Sequence, residues 1–199
     1  FASVVGGKQN KAQSCGFFIG GGGTNQSNNA SNNGVIVGGQ SNCDNSNTGC
    51  GCNFIGGGLA NKHDAYTRQN TIGGGGSNCT HYVGNATIGG GFNNRIRSGA
   101  SGNTIAGGCN NFICNSTAGT IGGGIQNQVC SNAGGTISGG CLNLICNTNY
   151  NAIGGGVCNL AKWSCCSFIG GGLNNRICAG QFNSIIGGNN NLSLNKSNT

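Results

Sequence analysis

A β-branched aliphatic residue recurs twelve times along the chain, and the residues around it recur with it. Taking that residue as position zero, the copies are Val4, Ile19, Ile36, Ile55, Ile72, Ile88, Ile105, Ile121, Ile137, Ile153, Ile169 and Ile185. The steps between them run 15, 17, 19, 17, 16 and 17, then 16 five times, so the spacing is irregular over 1–104 and strict over 105–199. Positions two and three are glycine in every copy, from Gly6 and Gly7 through Gly123 and Gly124 to Gly187 and Gly188. Position six is asparagine in every copy, including Asn10, Asn61, Asn94, Asn127, Asn143, Asn159, Asn175 and Asn191. Position eight is Ile, Val or Ala in seven of them.

About sixteen residues cannot make two packed helices, and glycine at this density opposes helix. The β-branched residues at positions zero and eight favour short strands. Two short strands and two turns per repeat describe one rung of a β-solenoid. The expected fold is therefore all-β: a parallel β-solenoid, a flat β-roll of about twelve rungs in a single repeat domain over 1–199, without helices. At about 4.8 Å per rung it forms a rod of roughly 55–60 Å. The zero and eight columns face each other from opposite walls across a thin core.

Each invariant column needs a physical reason. The paired glycines are expected where a turn needs positive φ or where another backbone leaves no room for a Cβ. Gly123→Ala is accordingly expected to harm the fold more than an outward change such as Gln128→Ala. Asparagine tolerates the left-handed region at the end of the same turn. Stacked, it can also link its amides along the axis.

Composition changes this picture little. The 44 glycines could signal linker or disorder, but their periodicity in register with the apolar residues argues against both. Charged residues make up 6% of the chain, and the net charge of +7 comes from nine scattered Lys and Arg. That attracts anionic surfaces mildly and builds no concentrated nucleic-acid patch. No apolar run approaches 18 residues, so no membrane insertion is expected. The chain starts at Phe1 without Met and without a visible signal peptide, and reads as a mature product or a piece of a longer chain. It opens and closes at nearly the same phase of the repeat, which points to chain continuation or end-to-end stacking into a filament.

The unit is clearest as TIGGGFNNRI (Thr87–Ile96) and FIGGGLNNRI (Phe168–Ile177). It resembles the head repeat of trimeric autotransporter adhesins, a parallel β-roll. It also resembles the glycine-asparagine repeat of fibre proteins from phages and large DNA viruses. The resemblance covers essentially the whole chain. It implies an extracellular, cell-surface or virion-surface fibre, commonly trimeric, that holds or binds something and catalyses nothing.

The fourteen cysteines fall in columns. Cys114, Cys130, Cys146 and Cys178 share position nine, the first three in consecutive rungs. Adjacent rungs bring Cα atoms within the disulfide range, so Cys114–Cys130 or Cys130–Cys146 can form, but not both. Cys141 and Cys158, one position apart in adjacent rungs, are a further candidate pair. Such staples favour an oxidising setting, with a reduced virion assembled in cytosol as the alternative. A metal site needs two converging pairs of ligands. Neither Cys50 with Cys52 nor Cys165 with Cys166 has a matching second pair, so no metal or cofactor is expected.

Positions seven and nine flank the inward position eight and point outward. Early rungs carry Lys11, Lys62, Asp64, His81, Arg95 and Arg97 there. Later rungs carry Phe112, Leu144, Leu160 and Leu192 among the cysteines, a stripe expected to be an interface, with Cys178 beside it. The acids, Asp44 and Asp64, read as surface charge rather than a catalytic pair. Cys79 with His81 is a weak nucleophile pair, and IGGGGSN at Ile72–Asn78 lacks the Lys-Ser/Thr of a phosphate loop. No enzyme is expected. The function read from the sequence is a structural fibre or filament assembling with itself as a homo-oligomer. The alternatives are an adhesin for a host glycan or receptor, and an ice-binding protein using the column Thr71, Thr87, Thr104, Thr120 and Thr136. For glycan binding the exposed aromatics are few. Tyr66, Tyr82, Tyr150 and Trp163 fall at rung corners, where packing beneath the turns is the expected role.

Overall fold

The computed structural model describes all residues except 29–31, 48–50, 100 and 198–199. The chain is a parallel β-solenoid of twelve turns, with no helix among the described residues. The residue before position zero and the zero residue itself form a two-residue strand in every rung. These strands stack in chain order into a twelve-stranded parallel sheet, the first sheet. Their register is strict: Ile88 pairs with Ile72 on one side and Ile105 on the other. Positions seven to nine build the second sheet, of eleven strands. Its strands are two or three residues long up to Arg95–Arg97 and lengthen to six from Phe112–Thr117 onward. The strict spacing of the later rungs thus coincides with a longer paired wall. Position four adds a third line of parallel bridges, running from Lys8 to Asn189.

Two walls of β-branched residues close on each other as the spacing requires. From Ile72 to Ile177 the zero and eight columns merge into one apolar cluster whose members are fully or almost fully buried. A second, smaller cluster holds Phe17, Ile19, Ile36 and Ile55. Opposite Ile19, Ile36, Ile55 and Ile72 the eight column is polar: Ser27, Asp44, His63 and Thr80 are all buried. This corrects the reading of Asp44 as surface charge. Asp44 is 1% exposed, and its Oδ1 accepts from the Ser46 backbone N–H at 3.1 Å and the Asn53 Nδ2 at 3.3 Å. The same wall alternation that buries Ile96 in later rungs buries whichever side chain stands at position eight in earlier ones.

The far corner of the rung holds a second polar lining that the repeat did not advertise. Asn70 Oδ1 accepts from Ala86 N at 2.8 Å, Asn103 Oδ1 from Gly119 N at 2.7 Å, and Asn151 Oδ1 from Ser167 N at 2.8 Å. These buried amides satisfy backbone donors at the return turn, where no strand partner reaches them.

Candidate functional site

The asparagine column is the structural spine. Each position-six amide is bracketed by its own rung and the next. Asn127 Nδ2 donates to the carbonyl of Gly123 in its own turn and to that of Gly140 in the following rung, both at 2.9 Å. Its Oδ1 accepts the backbone N–H of Asn143. The amide-to-backbone link recurs from Asn10 to Asn25 through Asn61, Asn94, Asn143 and Asn159 to Asn175 and Asn191. Direct amide-to-amide contact, the link expected from stacking, joins only some rungs, such as Asn159 Nδ2 to Asn143 Oδ1 at 3.1 Å. Backbone groups are therefore the main partners of this ladder.

The two glycine columns differ. Position three has φ between 80° and 103° in all twelve rungs. A Cβ on Gly124 would collide with the carbonyl oxygen of Gly140 and with Asn127 Nδ2. The same holds at Gly7 against Gly22 and Asn10. Gly188, in the last rung, meets only its own Asn191. At position two, by contrast, Gly6, Gly123 and Gly187 have nothing within 4 Å of a built Cβ. Want of space, one of the two reasons expected for the glycines and the reason that would make Gly123→Ala harmful, thus explains one column and not the other. Only position three is sterically closed. Gly123 is restricted instead by its φ of 155°, and Gly6 and Gly187 by neither.

Position five is left-handed in all twelve rungs, with φ from 54° to 59°. Its occupants include Gln126, Leu142 and Cys158, residue types that rarely adopt this region. The turn is imposed by the Asn bracket on one side and the glycine on the other, so the local residue type does not signal it.

Three outward surfaces follow. On the first sheet, Thr71, Thr87, Thr104, Thr120 and Thr136 stand in unbroken register. The neighbouring outward rank is Gly73, Gly89, Ala106, Gly122 and Ser138, so only one rank of threonine exists. On the second sheet, Phe112, Leu144 and Leu160 are half-buried and Leu192 is exposed. The column is not continuous, because Gln128 separates Phe112 from Leu144 and Arg176 separates Leu160 from Leu192. Asp64 on this sheet pairs with Lys62 at 3.0 Å.

The third surface is the corner at position four, which sequence reasoning passed over. Leu59, Gly76, Phe92, Cys109, Ile125, Cys141, Val157 and Leu173 occupy eight successive rungs in bridged register. No polar side chain interrupts them. The five large members are 41–57% exposed. The signal was available: position four is apolar, cysteine or glycine from the fourth rung to the eleventh. It was hidden by the attention that strand positions draw.

Cysteines divide by column. Cys114 and Cys130 form a disulfide with a Cα separation of 4.7 Å, leaving Cys146 as a half-buried thiol in the next rung. Cys141 and Cys158 do not bond and remain thiols, which corrects their candidate pairing. Cys141 is bridged to Val157, and Cys158 lies one residue beyond, on the left-handed turn. Cys178 is a free thiol separated from Cys146 by Lys162. Cys165 and Cys166 place their sulfurs 3.0 Å apart, while Cys50 lies outside the described residues. Burial pushes the thiols of Cys43 and Cys79 up, making both poor nucleophiles at neutral pH. Among the described residues no cluster of three or more His, Cys, Asp or Glu converges as a metal site would require.

The corner aromatics are not packed beneath turns. Tyr66, Tyr82, Tyr150 and Trp163 are 46–66% exposed. The Tyr66 and Tyr82 rings lie 5.3 Å apart, and Lys162 Nζ sits 3.7 Å over Trp163. No family model matches the chain, and no curated protein matches it either. Among the described residues no helix is long and apolar enough to cross a membrane.

Proposed function

We propose that the protein is the rod of a surface or virion fibre, assembled side by side with further copies of itself through the position-four corner. The observation that carries this reading is the unbroken apolar row from Leu59 to Leu173. A row of exposed apolar side chains on a water-facing corner is covered in the working state. Its positions recur once per rung, at about 4.8 Å, and carry a side chain in every rung but that of Gly76. The partner whose surface repeats with that period in register is a second copy of the same solenoid. The Asn–Gly ladder suits a fibre under tension, because each rung is tied to the next through asparagine hydrogen bonds, buried along most of the rod. The stripe of Phe112, Leu144, Leu160, Leu192 and Cys178 is the competing seam, interrupted as described.

Sedimentation velocity together with negative-stain microscopy tests the proposal. The expected result is an elongated homo-oligomer, a trimer in the simplest case. A monomer at micromolar concentration under oxidising conditions would sink it.

A second reading, adhesion to a glycan, is favoured by the adjacent and exposed Tyr66 and Tyr82. With Arg68 they line an open depression of about 310 Å³. Aromatic faces beside a cation suit the apolar face of an acidic sugar. A glycan array with Tyr82→Ala as the control tests it, and equal binding by both proteins would remove it.

A further inference from the structure

Position nine of the second sheet carries Arg97, Cys114, Cys130, Cys146 and Lys162 in five consecutive rungs, each in parallel register with the next. The disulfide joins Cys114 to Cys130, and the free Cys146 lies on the other side of Cys130. Cys130 therefore has a cysteine one rung away in each direction. Both neighbours stand at the spacing of adjacent parallel strands, about 4.8 Å, within the range a disulfide spans. We propose that this row is a thiol–disulfide exchange site, in which Cys146 displaces Cys114 from Cys130 and the disulfide migrates by one rung.

The step balances without an outside oxidant. Cys146 gives up its proton to solvent, and its thiolate attacks the sulfur of Cys130. The Cys130–Cys146 bond forms as the Cys114–Cys130 bond breaks, and the electron pair leaves with Cys114. Cys114 is released as a thiolate and takes a proton from solvent. One disulfide and one thiol enter, and one of each leaves. The column sets the attacking, central and leaving cysteines in sequence along the fibre axis, the order in which displacement at sulfur proceeds.

The row is also electrostatically matched at its two ends. Cys114 is in register with Arg97, and Cys146 with Lys162. A neighbouring cation favours the thiolate, so each terminal cysteine has a partner for the charge it carries when free. Burial pushes the Cys146 thiol up, and Lys162 pulls it part of the way back. The exchange therefore quickens as pH rises. Its consequence is that the one free thiol of these three cysteines appears at either of two places, two rungs apart on the same outer face. It is independent of the side-by-side assembly proposed above.

Trapping tests it directly. The full oxidised chain is held at pH 8.5 with a slowly reacting alkylating agent, quenched in acid, and digested with pepsin at low pH, where exchange stops. Mass spectrometry of the linked peptides should find two products. One carries label on Cys146 with Cys114 joined to Cys130, and the other carries label on Cys114 with Cys130 joined to Cys146. Their ratio should not depend on protein concentration. Cys130→Ser should abolish both linkages and label both outer cysteines. Lys162→Gln should shift the partition about two- to threefold toward label on Cys114, and Arg97→Gln should shift it the other way, as expected for partly exposed charges. A merely structural role for these two cations would not give reciprocal shifts. Recovery of the Cys114–Cys130 linkage alone, with all label on Cys146, overturns the proposal. So does a Cys130–Cys146 product that scales with concentration, because the exchange would then lie between molecules.

Discussion

The side-chain oxygen of Asn127 accepts the backbone N–H of Asn143, one rung further along, at 3.1 Å. That N–H is buried and has no strand partner, so the amide replaces a ladder bond that the turn cannot make. Asn127→Ala would orphan it and strip Gly123 of the amide bonded to its carbonyl. The expected loss is on the order of 2–4 kcal/mol, by the cost of leaving buried groups unsatisfied. Gln128→Ala, at a half-buried outward position, should stay within about 0.5 kcal/mol. Guanidinium unfolding of both variants checks the contrast, and equal midpoints would remove the bracketing role.

Neighbouring glycines should differ sharply. A Cβ on Gly140, where φ is 86°, meets the carbonyl of Gly156 and Asn143 Nδ2, whereas one on Gly139 meets nothing within 4 Å. Gly140→Ala should cost several kcal/mol by strain and overpacking. Gly139→Ala should be close to neutral. Thermal melts of the pair decide it, and equal melting temperatures would show that the steric account is wrong. We have no steric explanation for glycine at position two in every rung.

Acid should loosen the early rungs first. His63 is fully buried, with Nδ1 2.7 Å from Thr80 Oγ1 and Nε2 3.2 Å from the Phe54 carbonyl. Burial holds its pKa below the ordinary 6.5, while Asp44, its register partner inside the core, pulls part of the way back. Lys62 and Asp64 flank it on the outward face. The unfolded chain thus binds a proton that the folded chain resists. Its stability is fully present above about pH 6.5 and is lost as pH falls toward the lower folded value, at up to about 1.4 kcal/mol per pH unit. The site lies in the last rung of the smaller apolar cluster, beside its junction with the larger one, where the eight column offers no apolar partner. His63→Ser should flatten the fall in melting temperature between pH 7.5 and 5. An undiminished slope in the variant would assign the effect elsewhere.

The repeat made the walls legible because positions zero and eight obey simple alternation, and the all-β solenoid without helices follows from it. Asp44 was misread because a carboxylate is ordinarily solvated, when in fact the register holds and the core turns polar in the early rungs. The left-handed turn at Leu142 and Cys158 could not be read from residue type, since it is set by neighbours in the rungs above and below. Cys141 and Cys158 were paired from rung spacing alone, which ignores the turn between positions four and five. The exposed corner was overlooked for a related reason: it belongs to neither strand, and alternation says nothing about it.

The corner supplies the sharpest test of assembly. Ile125 and Leu173 stand three rungs apart in the row, both about half exposed, with Cys141 and Val157 between them. Leu144 and Leu160 stand on the second sheet, half-buried, with Gln128 before them and Arg176 after. If copies meet at the corner, Ile125→Lys with Leu173→Lys places two charges in a dry seam and should release monomers. Each uncompensated buried charge costs several kcal/mol, more than a seam of this width supplies in excess. Leu144→Lys with Leu160→Lys should leave the oligomer intact, because long lysine stems can lie along that face with their heads in water. Neither pair touches the Asn–Gly ladder, so the circular dichroism spectrum should remain that of a β-solenoid in both. Sedimentation velocity on the two double variants separates the seams. Dissociation by the Leu144 and Leu160 pair alone would move the interface to the second sheet and leave the corner row without a partner.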